Sequence, residues 1–326
     1  MKSKKILLIK MGAIGDVVHT TIIPLAIKKK HPDWEIHYIT SPTIAPILRN
    51  LDYIDKVIEF QQDKSKPYKQ LFEITKTLFK ERYNIIFCLA YTLKLYIMAF
   101  GAFPNKVAFR SYKGKSWIEN YFYTAKNVIP DLELPKRLVL KNNINREAEL
   151  RQELDKFPKP HIIFNPGNND PKLRQGRVWN IEKWKVLAEK ISQQYGGTIF
   201  VTGHETEREY QSQITGNNVQ LLSGKYCLED SCIILSLMDL VISGDSGPVH
   251  IASAYNVKTL AILGSTSAEK IKPYGENGYC VEPKTECRYC WKKKCKQLKG
   301  GEVYTPCIES ITVEDVLGKI SENNLL

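Results

Sequence analysis

The stretch Lys5-Ile6-Leu7-Leu8-Ile9-Lys10-Met11-Gly12-Ala13-Ile14-Gly15-Asp16-Val17-Val18-His19-Thr20 decides the fold. Ile6 to Ile9 is an unbroken apolar run, the pattern of a strand buried on both faces of a parallel sheet. A glycine-bearing loop follows, and a helix is expected from about Asp16 to Lys30. This strand-loop-helix unit recurs. Strands are expected near 35–40, 56–60 and 84–88 and a helix near 68–81, with short apolar segments at 106–109 and 137–140 finishing a first half. The polar stretch 141–160, ending Phe157-Pro158-Lys159-Pro160, reads as a linker with a helical piece. A second alternation opens at His161-Ile162-Ile163-Phe164-Asn165. Its further strands are expected near 198–202, 219–222, 239–243 and 258–263, and its helices at 181–195, from 205, at 229–238, 247–255 and 312–320. Two such arrays in series predict an α/β chain of two doubly wound parallel sheets, with domains 1–155 and 156–326.

Composition agrees with that reading. The chain has 326 residues, 43% hydrophobic and 25% charged, which excludes a collagen, a wholly disordered chain and a small disulfide scaffold. No run reaches the roughly 18–20 apolar residues of a membrane span; the longest, near 85–103, is interrupted by Lys94 and Gly101. The basic start Met1-Lys2-Ser3-Lys4-Lys5 precedes only four apolar residues, so no export signal is read and a cytoplasmic protein is expected. Residues 1–155 hold 26 Lys and Arg against 16 Asp and Glu, residues 156–326 hold 21 against 19. A basic first half suits an anionic partner (phosphorylated lipid, membrane surface or nucleic acid) or simply solubility.

Ligands of doubly wound sheets bind at the carboxyl ends of strands. Gly12 and Gly15 after the first strand form neither the G-x-G-x-x-G of dinucleotide folds nor a P-loop, so a dehydrogenase is not indicated. Asp16 reads either as a cap of the following helix or as a general base at a site edge. His19, one turn on, is a second polar candidate or a packed side chain. In the second half, Ser243-Gly244-Asp245-Ser246-Gly247-Pro248-Val249-His250 passes from strand to helix. The amides of Ser246 and Gly247 suit phosphate, while Asp245 suits a hydroxyl or the loop itself. The alternative is an ordinary Asp/Ser cap.

These strings resemble glycosyltransferase family 9, the ADP-heptose:lipopolysaccharide heptosyltransferases. Gly15-Asp16-Val17-Val18-His19-Thr20 is similar to that family's G-D-[VI]-[VL]-x-[TS], and Asp245, Ser246, Gly247 and His250 to its D-[ST]-G-x-x-H. Asn165-Pro166-Gly167-Asn168 followed by Arg177-Val178-Trp179 resembles its glycine-rich loop and basic residue, although Asn168-Asn169 stands where Thr or Ser is common. Lys172 and Arg174 neighbour Arg177. Thr202-Gly203-His204-Glu205 resembles a loop whose glutamate contacts the nucleoside, with Glu207 the alternative. The resemblance runs from about Lys5 to Leu317.

It implies a GT-B architecture, two Rossmann-like domains facing across a cleft, with acceptor on 1–155 and nucleotide sugar on 156–326. The implied activity is inverting, metal-independent transfer of a heptose from ADP-heptose to a lipopolysaccharide core. The implied catalytic base is Asp16, with Gly15 and His19 on the acceptor side. The implied donor residues are Asn165, Gly167, Asn168, Arg177, Gly203, Glu205, Asp245, Ser246, Gly247 and His250. The implied partners are a nucleotide-sugar donor, a phosphorylated glycolipid acceptor and, peripherally, the anionic inner membrane, but no nucleic acid. Two other readings keep the fold: a relative glycosylating a protein or another glycan, and a non-catalytic nucleotide-sugar binder, against which Asp16 argues.

Cys287, Cys290, Cys295 and Cys307 crowd into the spacing C-x2-C-x4-C-x11-C. Four thiolates there would enclose a structural Zn or Fe ion, and the resembling family carries a similar segment; the alternative is free thiols. Trp291-Lys292-Lys293-Lys294 beside them also reads as a nucleic-acid patch, a reading outweighed by the rest of the chain. Cys88, Cys227, Cys232 and Cys280 read as isolated core residues.

Overall fold

The computed structural model describes residues 3–61, 67–89, 106–167, 177–292, 295–298 and 304–326, with side chains from 72 and 107 onward in the second and third spans. It divides into two compact units, Met1–Lys141 and Asn142–Leu326. Among the described residues every strand pairing is parallel.

In the first unit the chain runs β1 (Lys5–Ile9), α1 (Ile14–Thr20), α2 (Ile22–Lys30), β2 (Glu35–Thr40), α3 (Ala45–Arg49), β3 (Lys56–Glu59), α4 (Pro67–Lys80), β4 (Ile85–Cys88), β5 (Lys106–Ala108) and α5 (Trp117–Lys126). The sheet order is β3-β2-β1-β4-β5, which puts β1 in the middle. That explains its apolar run: Ile6, Leu7, Leu8 and Ile9 are all fully buried, since both faces of a central strand are covered. The one helix expected at 16–30 is two. The hydroxyls of Thr20 and Thr21 donate to the carbonyls of Val17 and Val18, each at 2.7 Å, and Pro24 has no N–H to offer. Both features weaken a continuous helical ladder. The apolar segment at 137–140 forms no strand; Leu138 and Leu140 are buried without sheet pairing, and Tyr53 donates its hydroxyl to the Val139 carbonyl.

The second unit runs α6 (Ile144–Leu154), β6 (His161–Asn165), α7 (Ile181–Tyr195), β7 (Thr198–Val201), a single 3-10 turn (Glu205–Glu207), α8 (Arg208–Gln211), β8 (Val219–Leu221), α9 (Leu228–Ser236), β9 (Leu240–Gly244), α10 (Gly247–Ala254), β10 (Lys258–Ile262), α11 (Ala268–Ile271), β11 (Gly278–Val281), α12 (Pro306–Glu309) and α13 (Val313–Glu322). Its sheet order is β11-β10-β9-β6-β7-β8, so β6 and β9 meet in the centre. Phe164, Trp179 and Trp184 are buried together against this sheet, and Trp179 donates its indole N–H to the Ile311 carbonyl at 3.0 Å.

The helical piece expected in the 141–160 linker is α6, and it lies with the second unit. Arg146 forks onto Asp230 of α9 through two 2.8 Å hydrogen bonds, and Asn142 donates to Ser236 at 2.7 Å. The division also sharpens the charge asymmetry. Residues 1–141 hold 24 Lys and Arg against 12 Asp and Glu, whereas residues 142–326 hold 23 against 23. No helix among the described residues is long and apolar enough to cross a membrane.

Candidate active site

In the first unit the candidates sit where β1 gives way to α1. Ala13 is the N-cap of α1, and no side chain caps the helix. Asp16 is therefore not a cap. It stands in the first turn with its side chain 41% exposed, and its Oδ2 accepts from Lys10 Nζ at 2.8 Å. The Lys10 side chain is only 8% exposed, and its ammonium lies 5.8 Å from the Tyr121 ring centroid on α5. A buried ammonium needs a partner, and Asp16 supplies it; in return the carboxylate is fixed at the mouth of the loop. Lys10 was not among the sequence candidates. Its signal is a lysine closing an all-apolar strand directly before a glycine loop.

Gly15 is half-buried beside Asp16. His19 is different: with Val17, Val18 and Thr20 it is buried, at 4% exposure. It packs within α1, beside the turn that carries Asp16. Thr20 shares its hydroxyl with Tyr38 of β2, and burial, with the Asp16 charge adding to it, pushes the Tyr38 phenol well above its ordinary pKa.

In the second unit three strand ends are tied by one amide. Asn165, at the end of β6 and 3% exposed, donates to the Thr202 carbonyl at 2.7 Å. Its Oδ1 accepts from Ser243 at 3.3 Å and from Ser246 at 2.9 Å, and the two serine hydroxyls lie 2.8 Å apart. This arrangement matters for α10. Ser246 is the N-cap of that helix, yet its hydroxyl turns to Asn165 and Ser243 and makes no cap bond. Nor does the first turn of α10 contain an acidic residue. The helix start keeps its dipole and amides for something else, and anions suit such a terminus.

A cation stands beside it. Arg177 Nε lies 3.3 Å from Asp245 Oδ2, an ion pair with side chains 27% and 10% exposed. Gly244 suits the tight approach here, because a Cβ on it would stand 3.0 Å from the Arg177 carbonyl oxygen. Gly167, after β6, takes φ +85°, a conformation that favours glycine. His250 is buried at 5% in the first turn of α10. After β7, Glu207 is held in a capping box, accepting from the His204 amide at 3.0 Å, whereas Glu205 is exposed. Of the two glutamates, Glu205 is the exposed one and lies outside the capping box. Gly203 precedes it, and a side chain there would collide with Gln211 and Glu207. Asn168, Lys172 and Arg174 lie outside the described residues.

The four-cysteine expectation is not met. Among the described residues no group of three or more His, Cys, Asp or Glu side chains is arranged to hold a metal. Cys290 is exposed, Cys287 and Cys295 are half-buried, and Cys307 is buried in α12 with its sulfur 3.1 Å from the Thr305 hydroxyl. Burial, with Cys287 and Cys290 adding to it, pushes the Cys307 thiol up. The residues as arranged do not fit a four-thiolate site.

The geometry thus supplies a lysine-held carboxylate in one unit and, in the other, a helix start with no acidic side chain in its first turn and Arg177 nearby. The sequence profile of glycosyltransferase family 9 (heptosyltransferase) matches residues 96–300. The chain is 25% identical over 352 residues to lipopolysaccharide heptosyltransferase 1 of Campylobacter coli, covering 98% of each. Among solved structures it resembles a glycosyltransferase family 9 protein of Veillonella parvula (TM-score 0.82, 19% identity, 99% of this chain and 97% of that one). It also resembles ADP-heptose lipopolysaccharide heptosyltransferase II of E. coli (TM-score 0.78, 18% identity, 98% of each). The fold is GT-B, built of two parallel-sheet units. The chain belongs to glycosyltransferase family 9.

Proposed function

We propose that this enzyme transfers a heptose from ADP-heptose to a lipopolysaccharide core acceptor with inversion at the anomeric carbon. The observation that carries the reading is the start of α10. Its cap hydroxyl is turned away, its first turn is free of acidic side chains, and Arg177 stands beside it. The names of the relatives, heptosyltransferases matched over nearly their whole length, supply the sugar and the acceptor.

In this reading Asp16 takes the proton of the acceptor hydroxyl. The oxygen attacks the anomeric carbon from the side opposite the diphosphate, and the bond from that carbon to the phosphate oxygen breaks. The negative charge gathering on the departing diphosphate is met by Arg177 and the first-turn amides of α10, donors set in place before the charge appears. Asp245, which engages Arg177 in the structure, yields it to phosphate or keeps one edge of it. Glu205 contacts the nucleoside. No metal enters the chemistry. Acceptor binding belongs to the first unit and donor binding to the second, whose boundary at Lys141 and Asn142 lies ahead of the one expected at 155.

We also propose that the enzyme works in the cytoplasm, touching the inner membrane peripherally. On α4, Phe72 is 70% exposed and Phe79 67% exposed, with Lys76 and Lys80 exposed near them. Residues seven apart share a helix face, so the two rings form one apolar stripe flanked by cations, the pattern of an interfacial helix. The excess charge of residues 1–141 has the sign that anionic lipid attracts. Flotation with phosphatidylglycerol vesicles should capture the wild type. Phe72→Ser with Phe79→Ser, or about 0.5 M salt, should release it; capture unaffected by both would remove the membrane proposal.

The transfer proposal is tested by mass spectrometry of a heptose-free lipopolysaccharide core incubated with enzyme and ADP-heptose. Addition of one heptose is expected. Turnover of another nucleotide sugar, with none of ADP-heptose, would overturn the assignment of the donor.

A further inference from the structure

We infer that Trp291 is a positioning residue of the donor site, an aromatic plate that holds Arg177 with its hydrogen-bonding edge open. The inference rests on the donor reading of Arg177 given above. Trp291 belongs to the cysteine-bearing segment, which the proposed chemistry leaves unused. Its ring centroid lies 5.2 Å from the guanidinium carbon of Arg177. Its amide donates to the Ser265 carbonyl at 3.0 Å, which ties it to the loop following β10. Strands β9 and β10 are neighbours, paired from Lys258 with Leu240 to Ile262 with Gly244. The loop that anchors Trp291 therefore leaves the sheet beside the loop that carries Asp245 and Ser246.

The backbone supports a built feature rather than a chance contact. Trp291 takes φ +55° and Tyr289 φ +60°. Bulky side chains seldom adopt this left-handed region, and where they do the surrounding structure has to hold them there. Trp291 is 41% exposed, so its position is not explained by burial in a core.

The chemistry explains what the stack does. A guanidinium has two kinds of surface: a flat face with no donors and an edge carrying all five N–H groups. An indole against the face costs no hydrogen bond and leaves the edge for a carboxylate or a phosphate. Asp245 Oδ2 lies 3.3 Å from Nε, an ion pair without a hydrogen bond, so the N–H groups stay open to a ligand. Arg177 thus has its guanidinium carbon over the Trp291 ring and its Nε beside the Asp245 carboxylate. A long side chain held in this way has less freedom to lose when a diphosphate arrives.

The test is calorimetric titration of ADP into the full chain and its variants. Trp291→Ala should weaken ADP roughly 2- to 5-fold, the span of an exposed cation–π contact. Trp291→Phe, which keeps an aromatic face, should stay within about 1.5-fold of wild type. Arg177→Ala should weaken ADP more than either, and adding Trp291→Ala to it should change nothing further, because the indole acts through the guanidinium. Unchanged ADP affinity in Trp291→Ala, or an equal loss in the Arg177→Ala background, would overturn the inference while leaving the donor reading intact. A wild-type chain that binds no nucleoside diphosphate would overturn both. The melting temperatures of Trp291→Ala and Trp291→Phe should match wild type, which separates positioning from damage to the fold.

Discussion

Two helix starts, one in each unit, use the same physics in opposite ways. Each follows a central strand of a parallel sheet through a glycine-bearing loop, and each points unsatisfied amides and a positive dipole end toward the carboxyl edge of its sheet. In α1 the chain places its own anion there: Asp16 occupies the first turn and is fixed by Lys10. In α10 it does the reverse. The first turn has no acidic residue, and the capping serine is engaged by Asn165 and Ser243 instead. One terminus carries a carboxylate of its own chain and the other has no acidic side chain in its first turn; in the proposed reaction the first accepts a proton and the second meets the diphosphate. The charge of the whole chain follows the same division, with the excess of Lys and Arg confined to residues 1–141 and residues 142–326 balanced.

The comparison can be broken most severely at Asp16. Asp16→Asn keeps the shape and removes the base, so kcat for heptose transfer should fall by about 10²–10⁴ while ADP affinity holds. Steady-state kinetics and calorimetry on one preparation check both halves; transfer at the wild-type rate would show that Asp16 is not the base. A smaller effect is expected from making α10 resemble α1. Ser246→Asp puts a carboxylate at the open terminus and should weaken ADP roughly tenfold by competing for the same amides. Affinity equal to wild type would mean that this terminus does not hold the diphosphate.

The smallest effect concerns stability. The Arg146 hydrogen bonds hold the Asp230 carboxyl below its ordinary range. A carboxylate more acidic when folded stabilises the fold fully above its unfolded value near pH 4, and that contribution disappears as pH falls through the lower, folded value. Asp230→Asn should therefore lower Tm by about 2–4 °C at pH 7 and by progressively less as the pH drops below about 4. A constant deficit across that range would exclude the ion pair as its origin. Because this pair joins α6 to α9, the test leaves the first unit untouched.

Much of the fold was legible because its central strands are buried on both faces. Ile6–Ile9, Ile162–Phe164 and Leu240–Ile242 read as unbroken apolar runs for that reason. Less legible were elements whose signal is short or shared. The strand β11 has half-buried Tyr279 and Cys280 in its middle, and the Ser116–Glu119 capping box that opens α5 went unread. Leu138 and Leu140 have strand-like apolarity but are satisfied by packing alone. At the site, glycines and acids were readable from their positions after strands. Their partners were not: nothing in the spacing of Lys10 announces that it will hold Asp16, and Trp291 lies 114 positions from Arg177. Asp16 and Ser246 both had a capping alternative on sequence. Asp16 turns out not to cap, and Ser246 occupies the cap position without making the cap bond. The cysteine spacing, by contrast, suggested a closed metal site that the described side chains do not form.

Hydrogen–deuterium exchange of the full chain with and without ADP tests the division of labour most directly. The account predicts slower exchange, on binding, of amides at 165–167, 203–205 and 244–250, and no comparable change at 10–20. Protection concentrated at 10–20, with 244–250 exchanging as in the free protein, would place the diphosphate on the wrong helix start and contradict the account.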